Sequence, residues 1–541
     1  MKKIRKLTIV IVVGFLFGSI IFPSVFGRTL ITKQHVNSNV FSEMSYGNTW
    51  KKVFGNADEE RGNCVHQTRD GGYIIAASTN TYDSYGEANH DIWLIKTDAY
   101  GEILWSRTYG GEHGDGASDI RQTRDGGYII AGATSISTEG GDFWLIKTDS
   151  YGYKEWDRVF TRTGLDIANS VRQTQDGGYI LVGLSESDYG YFNTDIWLIK
   201  TDSNGNMEWN KVFNETNDED GKCVQQTDDG GYIIVGEQDD EDGISNLWLI
   251  KTDCDGNIEW EKIMDESNED QGNYVQQTSD GGYIITGLTD KNNNHGDIWI
   301  IKTDSNGNKQ WEKIYGGSYF DWGNTIQQTK DGGYIIAGLR YDDYDIIGGG
   351  SAILLKIDAN GNKEWYKLFR MGKFNEGFYA EQTNDGGYVL TGETKLRNRD
   401  YDLWFVKTDE NGEINTLNTP SEPYIEGVQK GTSGVFYNYT FTSTDPNDYD
   451  LQYYVDWGES WCDSWTDLFP SGEPCKISHR YINDGTYTIK AVARNSKGDI
   501  SEYGTLEVSM PRTKNLFMFN GRFLSFLQVI QDILMYTKRW A

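Results

Sequence analysis

The chain has 541 residues, and its 81 acidic and 50 basic side chains give a formal net charge of −31. That length fits roughly two to five ordinary domains. The charge argues against a nucleic-acid binder, which needs Lys and Arg to neutralise phosphates, and against docking on an anionic membrane. Aromatic residues make up 14% of the chain, which argues against extended disorder. With 63 Gly and only 7 Pro, the composition fits an all-β protein with an acidic surface, suited to cations, neutral polar ligands or sugars.

The N-terminus predicts a secretory signal over residues 1–27, followed by a linker over 28–46. Basic residues precede an apolar run over 7–22, and Pro23 breaks it before a cleavage site after Gly27. The alternative is an uncleaved anchor, but 16 apolar residues are short for a span of about 20. We therefore expect cleavage, export to the medium or the cell surface, and no transmembrane helix in the mature chain.

Three short strings recur between residues 47 and 419, and their regular spacing indicates a repeat architecture. The string Gln-Thr-x-Asp-Gly-Gly-Tyr begins at Gln67, Gln122, Gln173, Gln226, Gln277, Gln328 and Gln382. A Trp-Leu-Ile-Lys-Thr-Asp string or a close variant follows each copy. A Trp-x-(Lys/Arg) string carries Trp50, Trp105, Trp156, Trp209, Trp260, Trp311 and Trp365. Cys64 and Cys223 occupy equivalent positions in two repeats and are predicted to be small buried hydrophobes.

Each repeat predicts four strands, because Asp-Gly-Gly and Asn-Gly turns separate runs of β-forming residues. Seven such units predict a seven-bladed β-propeller over 47–419. In the last repeat Thr416 stands where the fourth-strand Trp is expected, whereas Trp50 precedes the first Gln-Thr string. We therefore predict that the N-terminal strand completes the last blade and closes the ring. A solenoid is the alternative, but it would carry polar caps.

At the string Asp202, Gly205, Trp209 the repeat resembles the PQQ-like and related bacterial and archaeal extracellular propeller repeats. The resemblance covers about 47–419 and implies a fold more than a function. The PQQ enzymes usually have eight blades and one more residue between the Asp and the Gly. Because their cofactor-binding pattern is absent from this sequence, we expect no quinone and no other cofactor, with calcium as the one exception considered below.

Residues 420–510 resemble a PKD domain, an Ig-like β-sandwich of secreted and surface proteins. The resemblance lies in Trp457-Gly458-Glu459 and the later Gly485-Thr486-Tyr487 stretch, although Glu459-Ser460 departs from the usual Asp-Gly. It implies a spacer or weak adhesion module. Cys462 and Cys475 are predicted to pair outside the cell. The tail over 511–541 has apolar residues at helical spacing, predicts an amphipathic helix, and resembles the tails of some archaeal exported PKD proteins.

The connections within and between repeats are of two kinds. The Asp-Gly-Gly and Asn-Gly turns are short and uniform and lie at one end of the sheets, called here the turn end. The other connections vary and lie at the opposite end, the variable end, where function is expected. Aromatic residues there suit sugar stacking or a protein partner, or alternatively pack over their own loops. They are Tyr82, Tyr85, Tyr189, Tyr191, Phe192, Tyr319, Trp322, Tyr341 and Tyr344.

An acidic residue lies seven positions before the Gln of six repeats. These acids are Glu60, Asp115, Asp166, Glu219, Asp270 and Asp321, with Asn375 in the seventh repeat. If the strand before Gln-Thr lines the channel, the ring of carboxylates predicts a calcium site at its mouth. The alternative, which we favour, is that each acid caps a loop in its own repeat.

Catalysis has little support in the sequence. Neither an HExxH nor a Gly-x-Ser-x-Gly motif is present. Arg121 and Arg172 precede the Gln of two repeats, but the other five carry different residues, so no arginine cluster is expected. We predict a monomeric, non-enzymatic binding or adhesion protein for an extracellular glycan or an envelope protein. The alternative is an extracellular enzyme acting on polysaccharide, or a quinoprotein-like oxidoreductase, which a compact asymmetric set of titratable groups in the channel would favour.

Overall fold

The computed structural model describes residues 49–511, apart from 56–58, 83–87, 112, 138–139, 163, 187–192, 215–217, 268, 292–294, 342–348, 371–373, 396–400, 415–418 and 460–464. The predicted signal, the linker up to residue 46 and the amphipathic tail from 512 onward therefore lie outside the described residues. Every regular element in the described ranges is a strand. No helix able to cross a bilayer occurs in them.

The described repeats form seven four-stranded antiparallel sheets. Sheet 1 contains β2 (Glu60–Gln67), β3 (Tyr73–Tyr82), β4 (Ala88–Thr97) and β5 (Ile103–Tyr109). Sheet 2 contains β6 (Asp115–Gln122), β7 (Tyr128–Ser137), β8 (Gly140–Thr148) and β9 (Lys154–Phe160). Sheet 3 contains β10 (Asp166–Gln173), β11 (Tyr179–Glu186), β12 (Thr194–Thr201) and β13 (Met207–Phe213). Sheet 4 contains β14 (Glu219–Gln226), β15 (Tyr232–Asp239), β16 (Ser245–Thr252) and β17 (Ile258–Met264).

Sheet 5 contains β18 (Asp270–Gln277), β19 (Tyr283–Thr289), β20 (Asp297–Thr303) and β21 (Lys309–Tyr315). Sheet 6 contains β22 (Asp321–Gln328), β23 (Tyr334–Tyr341), β24 (Gly350–Ile357) and β25 (Lys363–Phe369). Sheet 7 contains β26 (Phe374–Gln382), β27 (Tyr388–Lys395), β28 (Asp402–Thr408) and the N-terminal β1 (Trp50–Phe54), which pairs antiparallel with β28. The repeated sheets are consistent with a β-propeller.

Tight turns make consecutive strands neighbours in each sheet. The first glycine of the Asp-Gly-Gly turn has a positive φ, which is 86° at Gly71 in sheet 1, and glycine adopts this conformation without strain. The Asp of the same turn accepts hydrogen bonds from the preceding Thr and the following Gly, and a buried Lys from the third strand pairs with it. In sheet 2 that pair is Lys147 Nζ to Asp125 Oδ2, at 2.9 Å. The repeated Lys of the second string is therefore a buried partner of the turn.

Tryptophan and glutamine side chains join each sheet to the next. The fourth-strand Trp packs edge-on against the Tyr of the following sheet, as Trp105 does against Tyr128 at 6.1 Å between ring centroids. The Gln of each repeat accepts the backbone N–H of a turn residue in the preceding sheet, as Gln122 does from Arg69 at 3.0 Å. The series continues from sheet 7 to sheet 1, where Gln67 accepts the N–H of Asn384 at 2.8 Å.

The first strands also contact one another in sequence, and β26 of sheet 7 contacts β2 of sheet 1. Trp50, on β1, packs against Tyr73 of sheet 1, with ring centroids 5.8 Å apart. The strand at the N-terminal end of the described chain thus takes the place of a fourth strand in sheet 7.

Beyond the repeats, two three-stranded sheets share one hydrophobic core. The first contains β29 (Tyr424–Glu426), β30 (Tyr437–Thr442) and β32 (Cys475–His479); the second contains β31 (Leu451–Asp456), β33 (Gly485–Asn495) and β34 (Gly504–Met510). The core includes Phe441, Tyr453, Trp457 and Ile489, all buried. Cys462 lies outside the described residues, so its pairing with Cys475 stays a prediction. Cys64 and Cys223 are buried, as predicted.

Candidate functional site

The first strand of every repeat carries a β-bulge at the same place, because the register shifts between the fifth and third residues before the Gln. A bulge turns the extra side chain away from its usual direction. In four sheets this residue is an Asn whose Nδ2 donates to a backbone carbonyl of the next sheet. These residues are Asn63, Asn169, Asn273 and Asn324, with distances of 2.6, 3.1, 3.0 and 3.0 Å. The repeated Asn is therefore a link between sheets.

The residue just before the Gln forms a second set of links. The side-chain oxygens of Gln225, Gln276 and Gln327 accept the backbone N–H of the next sheet at 2.7, 2.6 and 2.7 Å. Glu381 accepts the N–H of Gln67 in the same way. Sheets 2 and 3 carry Arg121 and Arg172 at this position, and arginine has no acceptor atom. These two side chains are thus released from the linking role.

The two arginines share one buried carboxylate. Asp119 lies 3.2 Å from Nη2 of Arg121, and its other oxygen contacts Nη1 of Arg172. The same oxygen accepts the backbone N–H of Val171 at 3.0 Å and the hydroxyl of Ser170 at 3.2 Å. Burial by itself would raise the pKa of Asp119, but the two guanidiniums hold it well below its ordinary value. The expectation of no arginine cluster is therefore wrong, because the two repeats are neighbours and both arginines contact the same carboxylate.

Two tyrosines from other sheets complete the cluster. The hydroxyl of Tyr274 accepts from Arg121 at 3.4 Å and from Arg172 at 3.2 Å. The hydroxyl of Tyr379 accepts from Arg121 at 2.9 Å and lies 3.5 Å from that of Tyr274. Burial raises the pKa of Tyr379 well above its ordinary value, so its hydroxyl keeps its proton. With His66, side chains from sheets 1, 2, 3, 5 and 7 contact one another here.

Cys64, His66 and Glu381 form a chain that resembles a nucleophile, a base and an orienting carboxylate. The Cys64 Sγ lies 3.5 Å from His66 Nε2, and His66 Nδ1 lies 2.7 Å from Glu381. Burial, with Asp119 nearby, raises the pKa of the Cys64 thiol far above its ordinary value. Burial and Arg121 lower the pKa of His66. A protonated thiol is a poor nucleophile, so this geometry alone does not make Cys64 catalytic.

Cys64, His66 and Asp119 also place three potential metal-ligand atoms within 4.8 Å of one another. Arg121 contacts both His66 and Asp119, so a guanidinium already supplies the positive charge that a metal would bring. Calcium in particular prefers oxygen ligands, and this trio offers a thiol and an imidazole. The trio therefore fits calcium poorly. The calcium site predicted at the ring of acids, Glu60 and its equivalents, is a separate matter and stays a prediction.

A cavity of about 120 Å³, called here the first-strand pocket, lies against this cluster. Its lining includes Asp119, Arg121, Tyr274 and Tyr379 from the cluster. It also includes all three residues that replace the linking Asn at the bulge, namely Ser118, Lys222 and Phe378. The side chains that depart from the repeated Asn at the bulge thus converge on one pocket. In the sequence, the available signal was that two positions of the repeat vary: the bulge residue and the residue just before the Gln. The sequence did not reveal that these side chains come together.

The aromatic residues predicted at the variable end are partly described. Tyr319 is 42% exposed, as is its neighbour Phe320. Trp322 is half-buried and donates its indole N–H to Glu376 at 2.9 Å. Tyr341 is half-buried, with its ring against Phe374. The side chains of the other predicted aromatics lie outside the described residues: Tyr82, Tyr85, Tyr189, Tyr191, Phe192 and Tyr344.

The acids predicted to ring the channel mouth are all buried: Glu60, Asp115, Asp166, Glu219, Asp270 and Asp321. Several accept backbone N–H groups of their own loops. Asp115 accepts from Gly111 at 2.8 Å, Asp166 from Arg162 at 2.7 Å and Asp270 from Glu266 at 2.6 Å. Burial raises the pKa of Asp321 to about 7. These contacts are those of loop caps, and the metal role stays a prediction.

Sequence reasoning missed two features. Tyr100, Tyr151 and Tyr153, at the turn end of sheets 1 and 2, are 59%, 66% and 61% exposed. Their positions in the uniform turns are Asn or another polar residue in most other repeats, which was the available signal. In sheet 7, Glu376 and Glu393 are direct cross-strand partners. That pairing depends on strand register, which the sequence pattern did not reveal.

No protein-family model matches the chain, and no curated protein matches it. Among solved structures, 17% of the chain is similar, at 40% identity and a TM-score of 0.17, to 96% of the PKD domain of an M14-like peptidase from a Thermoplasmatales archaeon. A puromycin hydrolase is 11% identical over 71% of this chain and 58% of its own, with a TM-score of 0.40. A bifunctional GH43-CE protein of Bacteroides eggerthii is 10% identical over 86% of this chain and 64% of its own, with a TM-score of 0.30. The propeller-like character rests on the repeated sheets themselves.

Proposed function

We propose that the chain is an exported or cell-surface binding protein that recognises an extracellular glycan at the variable end of a seven-bladed, closed β-propeller. The order of the first strands, the pairing of β1 with β28 and the contact of β26 with β2 support this architecture. The two three-stranded sheets over 424–510 support a PKD-like sandwich as a spacer. The acidic composition suits a sugar better than a nucleic acid or an anionic membrane.

The observation that carries the proposal is the exposed aromatic pair Tyr319 and Phe320. Both lie at the variable end, in the connection between sheets 5 and 6, and each is 42% exposed. Trp322 on β22 and Tyr341 on β23, both in sheet 6, are half-buried. Aromatic faces beside polar groups provide stacking surfaces for sugar rings. Function on variable connections held by a rigid scaffold is also the usual arrangement.

The proposal is tested by screening the full exported chain on a glycan array, with and without calcium, and by titrating the best oligosaccharide. Replacing both Tyr319 and Phe320 by Ala is expected to weaken binding at least tenfold, because the change removes the stacking surface. Tyr151→Ala is the matched control, since Tyr151 is an exposed tyrosine at the turn end. It should leave affinity unchanged.

Two results would contradict the proposal. If no glycan binds, the glycan assignment fails and a protein ligand is the next hypothesis to test. If Tyr151→Ala abolishes binding while the double variant retains it, the site lies at the turn end and not at the variable end.

A second candidate function is an extracellular enzyme acting on polysaccharide, and the asymmetry of the side-chain cluster around Asp119 favours it. His66, Arg121 and Arg172 replace the linking Gln on one side of the ring only. Incubating the bound oligosaccharide with the chain and measuring new reducing ends tests this candidate. Hydrolysis lost in Glu381→Gln, but with binding retained, would support an enzyme. An unchanged oligosaccharide would support binding alone.

A further inference from the structure

We propose that the first-strand pocket receives the carboxylate of an acidic sugar, so that the preferred ligand is a uronate-containing glycan. This inference rests on the glycan-binding function proposed above and names its ligand class. The carrying observation is an excess of unused hydrogen-bond donors in a pocket of a chain whose net charge is −31. Among the described residues, three charged ones line the pocket: the cationic Arg121 and Lys222 and the anionic Asp119.

Asp119, the one carboxylate among the described residues that line the pocket, is already saturated by its neighbours. One oxygen of Asp119 accepts from the Cys64 thiol and faces Arg121, and the other accepts from Ser170, Val171 and Arg172. A carboxylate offers about four lone-pair sites, and the partners named here use them all. Asp119 therefore has little capacity left for a ligand's hydroxyl or ammonium group.

The donors around the pocket are not all used. The Nε of Arg121 is buried and has no hydrogen-bond partner among the described residues. Tyr274 and Tyr379 both accept from arginine, and each keeps one phenolic proton. At most one of these two protons is used between the two hydroxyls, which lie 3.5 Å apart. Lys222 pairs with Asp220 and Glu237, which leaves its third N–H.

Unused donors on arginine, lysine and tyrosine side chains match an acceptor-rich group, and a carboxylate meets that requirement. The remaining lining favours a sugar acid over a simple anion. Asn63 and Asn169 use Nδ2 to link sheets, so their amide oxygens are the atoms left to accept from a ligand hydroxyl. A cavity of about 120 Å³ holds a carboxylate and its neighbouring carbons, with the rest of the glycan outside.

The acidic surface of the chain repels anions in general, so only an anion that fits the pocket is expected to bind. At a net charge of −31, a polyanion is repelled at long range, and only the buried donors offset that repulsion. Short oligosaccharides are therefore the proper probes, and the affinity for them should not fall as salt screens the surface.

The test compares three probes that differ only at the carboxyl carbon: an oligogalacturonide, its methyl ester and its carboxyl-reduced form. Calorimetric titration of the full chain is expected to give at least tenfold tighter binding for the free acid. Ser118→Phe should abolish this preference by filling the pocket. The fold accepts phenylalanine at this bulge position, since sheet 7 carries Phe378 there. Arg121→Gln should abolish the preference by removing charge.

Arg124→Gln is the matched control, because Arg124 carries the same charge on an exposed residue at the turn end. It should retain the preference. Equal binding of the three probes, with loss in the Tyr319 and Phe320 double variant, would overturn this inference and leave the glycan-binding function standing. A preference that survives Ser118→Phe would also overturn it. If no probe and no arrayed glycan binds, both proposals fail.

Discussion

Glu393 on β27 is a carboxylate whose surroundings oppose its charge. It is 4% exposed and lies directly across the strand pair from Glu376. Burial, together with Glu376 and Glu59, raises its pKa to about 7, although Arg61 and Lys395 act in the opposite direction. Arg61 Nε lies 3.2 Å from a carboxylate oxygen of Glu393. Like charges directly opposite each other destabilise a sheet.

Glu393→Gln is expected to stabilise the protein at pH 8. The pKa in the folded protein, about 7, lies above the ordinary value of 4.5. The wild-type contribution is therefore fully present below pH 4.5 and is lost as the pH rises through 7. The variant should gain on the order of 3 kcal/mol at pH 8 and nothing at pH 4, because a pKa difference of one corresponds to about 1.4 kcal/mol. Denaturant unfolding midpoints between pH 4 and pH 8 measure this.

The equivalent pair in sheet 4 supplies a control of opposite sign. Asp220 and Glu237 are also cross-strand partners, but Lys222 lies within 3.0 Å of Glu237 and pairs with both. Glu237→Gln removes a partner of Lys222 and should lower stability at pH 8. A loss of stability in both variants would show that Glu393 is stabilising in its charged form.

At the scale of the strand and the sheet, most of the fold was predictable because its causes are local. The Asp-Gly-Gly turn requires a positive φ that glycine provides, and the strands flanking it alternate or are wholly apolar. Each repeat therefore predicts its own four strands. The pairing of β1 with β28 was also predicted, since Trp50 supplied the fourth-strand Trp missing at Thr416.

The candidate site could not be predicted because its causes lie between sheets. Gln225 and its equivalents show their linking role only when the next sheet is in place. Without it, Arg121 and Arg172 are two isolated departures from a pattern. Their common partner Asp119 follows from the order of neighbouring sheets. The loop caps, by contrast, were anticipated as the favoured alternative for the ring of acids, since Asp at a loop start accepts local N–H groups.

At the scale of the whole molecule, the two C-terminal three-stranded sheets, called here the sandwich, contact the strand that completes sheet 7. Val53 N–H donates to the carbonyl of Gly498 at 3.1 Å. Lys52 Nζ lies 3.0 Å from Asp499 of the sandwich and 2.9 Å from Glu102, which follows the third strand of sheet 1. Lys52 therefore joins sheet 7, sheet 1 and the sandwich through one buried ammonium group.

A shared hydrophobic core accompanies these ion pairs. Val53 and Trp404 of sheet 7 belong to the same cluster of buried residues as Tyr454, Trp465 and Ile500 of the sandwich. The sequence predicted two separate domains, over 47–419 and 420–510, and nothing in their separate patterns indicated that they share a core. An edge strand covered in this way is protected from pairing with another chain. The sandwich thus covers the edge strand of sheet 7, β1.

Lys52→Met is expected to destabilise the full chain by about 3 kcal/mol, because it leaves two acids without their buried partner. Lys51→Met is the matched control, since Lys51 pairs with Glu502, whose side chain is 68% exposed, and such a pair contributes at most about 1 kcal/mol. Hydrogen exchange of the Lys52 variant should speed up together in β1 and around Asp499, because the strand and the sandwich support each other. Faster exchange in the sandwich alone would show that β1 holds sheet 7 without it.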